Sequence, residues 1–236
     1  MFGELENYQV EPPLLPVTDF VVENVENYQD LNPDAELLRN QAFLDQLKKA
    51  LENAGKFESG KIIHAGYYEV HLGVKIDGKP VGFVIKIPTK KEVPQAGAVE
   101  QYEIFREYCP TITLPTIFLN VSFEGGQTEL ISLQREITDG LNIENYLSQL
   151  FDDEEMSAAV RAGAYELVDG LERLYEIKKL MVEPRTISPY HDNVMVDPNK
   201  ELLWLVDTNY LTESNNRDRE MYKRELTSFR KYIAEH

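Results

Sequence analysis

Asn193 and Asp207 flank a short patterned segment, and together these two residues could hold a divalent metal ion. Apolar residues at 194–196 and 203–206 predict two strands, and Asp-Pro-Asn-Lys at 197–200 predicts the turn between them. A metal bound to a polyphosphate takes one or two hard oxygen ligands from the protein and keeps several waters. An Asn carbonyl and an Asp carboxylate on neighbouring strand ends provide such ligands. The alternative is that both residues serve only as turn and capping groups.

Lys86 is the most unusual lysine of the chain because it lies inside an apolar run, Val81–Ile87. Gly78 marks the turn before this run, and the segment Tyr68–Ile76 alternates apolar and polar residues, so the two segments predict a β-hairpin. Lys86 could simply extend its charge to water at the edge of a sheet, as lysines readily do. The other interpretation is that it neutralises an anion. The Glu-rich segment Val99–Tyr108 predicts a helix that could supply an acidic partner.

These elements occur in the order found in protein kinases. The V-I-K sequence at Val84–Lys86 matches the strand lysine of that family, and Asn193 and Asp207 match its two metal-binding residues. Over about residues 60–210 the chain resembles a divergent, minimal member of the protein-kinase-like superfamily. The resemblance implies an α+β, two-lobed fold, with a five-stranded antiparallel N-lobe sheet and a truncated, mostly helical C-lobe.

The same resemblance orders the remaining segments. Two further N-lobe strands are expected at 117–123 and 128–133, joined at Gly125-Gly126. The run at 134–140 corresponds to the hinge between the lobes, and 143–150 to the first helix of the C-lobe. Apolar residues at helical spacing predict a long amphipathic helix at 154–178.

The resemblance also implies roles for the site residues, with ATP and magnesium as cofactors. Lys86 would contact the nucleotide phosphates, and Asn193 and Asp207 would hold the metal. Glu100 is the expected partner of Lys86. Gln101 and Glu103 lie on the same predicted helix, and the sequence does not choose cleanly among the three.

Several departures from the kinase pattern bear on activity. The general-base Asp of kinases lies five residues before the metal-binding Asn, and Ser188 occupies that position here. Asp192 is therefore our candidate catalytic group, approaching from beside Asn193. Gly60 and Gly66 are too widely spaced for the usual Gly-rich loop. Only 29 residues follow Asp207, so we expect no activation segment, an economy similar to the minimal kinases among bacterial secreted effectors.

Three functions fit this sequence. The first is an ATP- and magnesium-dependent phosphotransferase, since phosphoryl transfer depends mainly on positioning and on metal electrostatics. The second is a pseudokinase, a scaffold that binds nucleotide or a protein partner. The third is a nucleotidyl transferase on a kinase-like fold. The substrate is not readable, because kinases of proteins, lipids and small molecules share these residues.

Charge and composition limit the classes of molecule that the protein is expected to bind. The formal net charge is −17, so we expect no binding to nucleic acid or to anionic membrane surfaces, which require basic patches. The single cysteine, Cys109, allows no intrachain disulfide, and we expect it to pack rather than to act as a nucleophile. No signal sequence or membrane-spanning stretch is evident, so we expect a cytoplasmic protein, with secretion as an effector left open.

We expect a single kinase-like domain with three parts. Residues 1–33 form an N-terminal arm, residues 34–133 the N-lobe, and residues 134–236 the hinge and reduced C-lobe. Within the N-lobe, Asn32-Pro33-Asp34 predicts the start of a bracing helix that ends near Gly55. At the other end, residues 217–234 predict an amphipathic helix whose expected apolar side is Met221, Leu226, Phe229 and Ile233.

Overall fold

A computed structural model of the chain shows two groups of elements joined by residues 136–140. The structure describes residues 17–22, 45, 48, 61–65, 68–76, 78–80, 82–88, 97–124, 128–150, 155–182, 193–208, 211–213 and 216–236. The predicted bracing helix at 34–55 lies outside these residues, except that Asp45 and Lys48 are helical.

The first group is built on an antiparallel sheet. Its strands, in the order in which they are hydrogen-bonded, are β1 (Val17–Val22), β7 (Thr116–Phe123), β8 (Thr128–Arg135), β6 (Phe83–Pro88), β3 (Tyr68–Leu72) and β2 (Lys61–Ala65). Two short strands, β4 (Lys75–Ile76) and β5 (Lys79–Pro80), form a separate ribbon between β3 and β6. The predicted antiparallel sheet is confirmed: β3, β6, β7 and β8 correspond to the four strands placed from the sequence, β2 brings the number to the expected five, and β1 adds a sixth.

β1 comes from the segment that the sequence analysis treated as an arm. It pairs antiparallel with β7, with Phe20 opposite Val121 and Val22 opposite Leu119. The surrounding prolines and asparagines hide this strand in the sequence, because they are typical of loops. Its pairing partner is about a hundred residues away, so local pattern does not reveal it.

One face of the sheet carries helix α1 (Ala98–Tyr108). Cross-strand register places Val70, Lys86, Ser132 and Phe118 in one row across β3, β6, β8 and β7. The ring of Tyr102 on α1 meets the ring of Phe118 edge to face, with 5.5 Å between centroids. Because side chains alternate along a strand, the face with Lys86 is the face that α1 covers.

The second group is mostly helical. Its elements are β9 (Leu141–Asn142), α2 (Ile143–Leu147), α3 (Ala158–Lys178), β10 (Leu180–Val182), β11 (Val194–Asp197), β12 (Leu202–Leu205), β13 (Leu211–Glu213) and α4 (Asn216–Glu235). The predicted hairpin is confirmed as β11 and β12, and β9 pairs with the other edge of β11. Ser157 caps the N-terminus of α3, because its hydroxyl accepts a hydrogen bond from the Val160 amide.

The main hydrophobic core lies between α3, the β11–β12 hairpin, the end of α1 and α4. α4 was expected to bury Met221, but Met221 is 39% exposed and its neighbour Tyr222 is fully buried. Tyr222, Leu226, Phe229 and Ile233 recur at spacings of four, three and four residues, so they form one face. The Tyr222 hydroxyl donates to the Leu171 carbonyl on α3 at 3.4 Å, which satisfies the polar end of this buried ring.

Backbone hydrogen bonds connect the two groups directly. The Leu205 amide donates to the Ile112 carbonyl at 2.8 Å, and the Leu114 amide donates to the Leu205 carbonyl at 3.0 Å. The segment between α1 and β7 therefore lies beside β12. This pairing fixes the residues that follow β12 against the sheet that carries Lys86.

Candidate nucleotide and metal site

The β11–β12 hairpin brings Asn193 and Asp207 to the same end. Val194 and Leu205 are the last paired residues, and beyond them the Val206 amide donates to the Asn193 carbonyl at 2.9 Å. Asn193 is buried and Asp207 is half-buried. The structure thus places the two predicted metal ligands close together in the fold. Their oxygens suit a hard cation such as magnesium, and metal binding itself stays a prediction.

Lys86 lies on β6 and reaches the same place from the sheet. Its Nζ donates to the Val206 carbonyl at 2.9 Å. Burial lowers the pKa of the Lys86 ammonium from its ordinary value, and the negative charge of Asp207 acts in the opposite direction. Lys86 is therefore a partly desolvated cation held next to Asp207, and the alternative of a solvated lysine at the sheet edge does not describe it.

Gln134 is a further residue of this site. It is buried on β8, two residues after Ser132, so it lies on the face that carries Lys86. Its Nε2 donates to the Val206 carbonyl at 2.9 Å and to the Thr116 hydroxyl at 2.8 Å. Sequence reasoning placed Gln134 at the start of the hinge and missed this role, because β8 continues to Arg135.

Tyr68, the first residue of β3, is also near Asp207. Burial raises the pKa of the Tyr68 phenol, and the charge of Asp207 raises it further. The phenol therefore keeps its proton through the neutral range. Only the alternation of the strand drew attention to Tyr68 in the sequence, since no local motif links it to a residue far along the chain.

Three residues of α1 were considered as partners of Lys86, and they differ in exposure and in contacts. Glu100 is exposed in the first turn of α1, and Glu103 is half-buried. Gln101 accepts a hydrogen bond from the Leu211 amide at 2.9 Å through its Oε1, so it ties α1 to β13. Among the described residues, the negative charge of Asp207 raises the pKa of the Lys86 ammonium. Pairing of Lys86 with Glu100 stays a prediction.

The chain is similar to the solved structures of two kinases. The granulovirus kinase PK-1 of Cydia pomonella granulovirus matches with a TM-score of 0.44 and 18% identity, over 77% of this chain and 60% of that one. The kinase domain of PknI from Mycobacterium tuberculosis matches with a TM-score of 0.38 and 16% identity, over 68% and 62%. This chain thus spans about three fifths of each. No family model and no curated protein matches the sequence.

The order of the described elements agrees with the kinase-like fold predicted from the sequence: an antiparallel sheet with α1 on its Lys86 face is followed by a mostly helical group. Residues 136–140 join the two groups, and Asp139 in this segment takes a left-handed backbone conformation with φ 58°. The Glu136 carboxylate accepts from the Gly73 amide at 2.8 Å, which links this segment to the turn after β3.

Two positions of the kinase pattern lie outside the described residues. They are Ser188 and the candidate catalytic group Asp192, so the role of Asp192 stays a prediction. Within the described ranges, no group of three or more His, Cys, Asp or Glu residues could hold a metal ion. Asn193 and Asp207 stay the predicted ligands of a metal at this site.

Two other expectations concern the rest of the chain. Cys109 is fully buried at the end of α1, and burial raises the pKa of its thiol to about 12. A thiol with so high a pKa is a poor nucleophile near neutral pH, which agrees with a packing role.

In the parts of the chain that the structure describes, none of the helices has the length and apolar character needed to span a bilayer.

Proposed function

We propose that this protein is an ATP- and magnesium-dependent phosphotransferase. One observation carries the proposal: Lys86 Nζ donates to the carbonyl of Val206, the residue just before Asp207, and the Val206 amide donates to the backbone carbonyl of Asn193. A packing role alone does not require a partly desolvated lysine beside an aspartate at this point. Nucleotide phosphates with a bound cation do require them, because they need a positive charge and hard oxygen ligands together.

In this proposal each residue has a defined task. Asn193 and Asp207 supply the oxygens that hold magnesium, and the magnesium neutralises charge on the phosphates. Lys86 gives its ammonium to the phosphate oxygens. Burial lowers the pKa of this ammonium, and the added negative charge of a phosphate favours its protonated form. Asp192 is the proposed group that orients the hydroxyl of the acceptor.

A specific observation supports a second candidate. Ser188, which cannot act as a carboxylate base, occupies the position of the general-base Asp. A protein that binds nucleotide without transferring phosphate, and acts by holding a protein partner, needs Lys86, Asn193 and Asp207 but not that base. The pseudokinase is therefore the alternative that experiment must separate from the enzyme.

Thermal unfolding with and without millimolar ATP and magnesium is the first test. A ligand that binds only the folded protein at 100 times its Kd adds about 2.7 kcal/mol to the free energy of unfolding. We expect a magnesium-dependent rise in Tm for the wild type, none for Asp207→Ala, and the full rise for Glu124→Ala, an exposed acidic control at the end of β7. A wild-type protein with no rise would refute nucleotide binding.

Radiolabelled ATP then separates the candidate activities. Transfer of the γ-phosphate, or ADP release, that is lost in both Lys86→Met and Asp207→Ala supports the phosphotransferase. Nucleotide binding with no transfer to any acceptor supports the pseudokinase. Label from the α-phosphate on protein would instead indicate nucleotidyl transfer. Lys75→Met, at an exposed lysine of the ribbon, is the matched control for Lys86→Met.

A further inference from the structure

The Val206 carbonyl accepts two hydrogen bonds from two different parts of the sheet. Lys86 Nζ donates from β6 and Gln134 Nε2 donates from β8, each at 2.9 Å. On the other side of the same residue, the Val206 amide donates to the Asn193 carbonyl at 2.9 Å. The residue just before Asp207 is thus held by three hydrogen bonds.

The direction of the hydrogen bonds around Gln134 is fixed by chemistry. The Val206 carbonyl can only accept, so the NH₂ group of Gln134 must face it. The Thr116 hydroxyl uses its proton on the Leu114 carbonyl at 3.0 Å, so it accepts the second N–H of Gln134. Both N–H groups of this amide are therefore used, and the side chain is buried.

The two donors to Val206 differ in what else they can do. Gln134 is held between two acceptors, whereas Lys86 carries a charge and a flexible stem with three donors. In the proposed function Lys86 must give its ammonium to phosphate oxygens. Turning a donor away from a partly buried carbonyl costs free energy when no other group takes the donor's place, because the carbonyl is left unsatisfied. Here Gln134 would keep the carbonyl bonded.

We propose that Gln134 is a positioning residue that holds the Val206 carbonyl, and with it Asp207, when Lys86 moves from that carbonyl to the phosphates of a bound nucleotide. This inference rests on the proposed nucleotide site. Lys86 then has two positions, on Val206 and on phosphate, and Gln134 lowers the cost of changing between them. Asp207 keeps its place relative to Asn193 during the change.

Gln134→Met tests this inference because it keeps the volume and removes both N–H groups. Of the two side chains that donate to the Val206 carbonyl, this variant keeps only Lys86. When Lys86 moves to a phosphate, the Val206 carbonyl then has neither donor. We expect the Kd for magnesium-ATP to rise about tenfold, because binding then leaves the partly buried Val206 carbonyl without either of these two donors. Titration with a fluorescent ATP analogue and competition with ATP measure this constant.

Thr116→Val is the matched control for stability. It removes a hydroxyl from the same buried network but leaves the hydrogen bond between Gln134 and Val206. We expect both variants to lower Tm without nucleotide, and only Gln134→Met to raise Kd by about tenfold. Gln149→Met, at an exposed glutamine, controls for the substitution itself.

The outcomes separate the inference from the function on which it rests. Equal Kd values for Gln134→Met and the wild type, or equal rises for Gln134→Met and Thr116→Val, would overturn the role of Gln134 while leaving nucleotide binding intact. A wild-type protein that binds no nucleotide would overturn both. A tenfold rise confined to Gln134→Met supports the inference.

Discussion

Replacement of Gly170 by alanine probes the contact between α3 and the end of α1. A Cβ atom built on Gly170 would clash with Cys109 Sγ and would lie 2.6 Å from the Tyr108 carbonyl oxygen. Both approaches are closer than van der Waals contact, and the carbonyl belongs to the backbone, so it cannot rotate away. Gly170→Ala must therefore push α3 away from α1.

Gly163, about two turns earlier on α3, provides a matched comparison. Its added Cβ would meet Ile112 Cγ2 and Leu203 Cβ at 3.1 Å, which small shifts can relieve. Alanine in place of glycine gains about 1 kcal/mol of helix propensity at either position. Overpacking typically costs about 1–3 kcal/mol and occasionally more. We expect Gly170→Ala to lower the free energy of unfolding by about 2 kcal/mol, and Gly163→Ala to change it by less than about 1 kcal/mol.

Urea denaturation followed by circular dichroism measures both variants, with equal m-values as the check that the unfolding reaction is unchanged. The double variant Gly170→Ala with Cys109→Ala removes the clash with sulfur but not the clash with the Tyr108 carbonyl, so we expect partial recovery at most. A Gly170→Ala protein as stable as Gly163→Ala would refute the close approach of the two helices.

Three further predictions follow from burial and charge. In urea denaturation, Leu226→Ala should lower the free energy of unfolding by about 2–5 kcal/mol because Leu226 is buried in the main core. Met221→Ala, on the exposed side of α4, should lower it by less than about 0.5 kcal/mol. Equal losses in the two variants would contradict the orientation of α4. Burial raises the pKa of the Cys109 thiol from 9.0 to about 12, so the thiol ionises at lower pH in the unfolded chain than in the folded protein. The thiol's contribution to the free energy of unfolding should therefore be complete below pH 9 and should decline between pH 9 and about 12. When the free energy of unfolding is measured against pH, Cys109→Ala should show a weaker decline over this range. Lys86→Met should abolish the rise in Tm with magnesium-ATP without lowering the Tm of the protein alone, because it removes a partly buried charge and Gln134 still donates to the Val206 carbonyl. A large fall in Tm would show that Lys86 is needed for folding.

Local patterns were sufficient for most secondary structure. The β11–β12 hairpin, the V-I-K strand and the long helix α3 were predicted because alternating and helical apolar periods are properties of neighbouring residues. The ends of the strands were predicted less exactly than their positions. β8 runs to Arg135, so Gln134 belongs to this strand and not to the predicted hinge. The expected burial of Met221 was wrong for a related reason, since a tyrosine can bury its ring while its hydroxyl bonds to another helix.

The sequence by itself determined which residues could do chemistry and in what order they occur. Lys86, Asn193 and Asp207 stood out because a lysine in an apolar strand and two oxygen ligands at a hairpin end are unusual in residue type and position. The order of the elements around them was enough to predict a kinase-like fold.

Tertiary structure alone decided what these residues contact. Val206 has an unremarkable apolar side chain, and its importance lies in a backbone carbonyl that Lys86 and Gln134 reach from 120 and 72 positions away. β1 depends in the same way on pairing with β7. Hydrogen bonds between distant segments depend on sheet order and register, which are set by how whole elements pack and not by any local pattern.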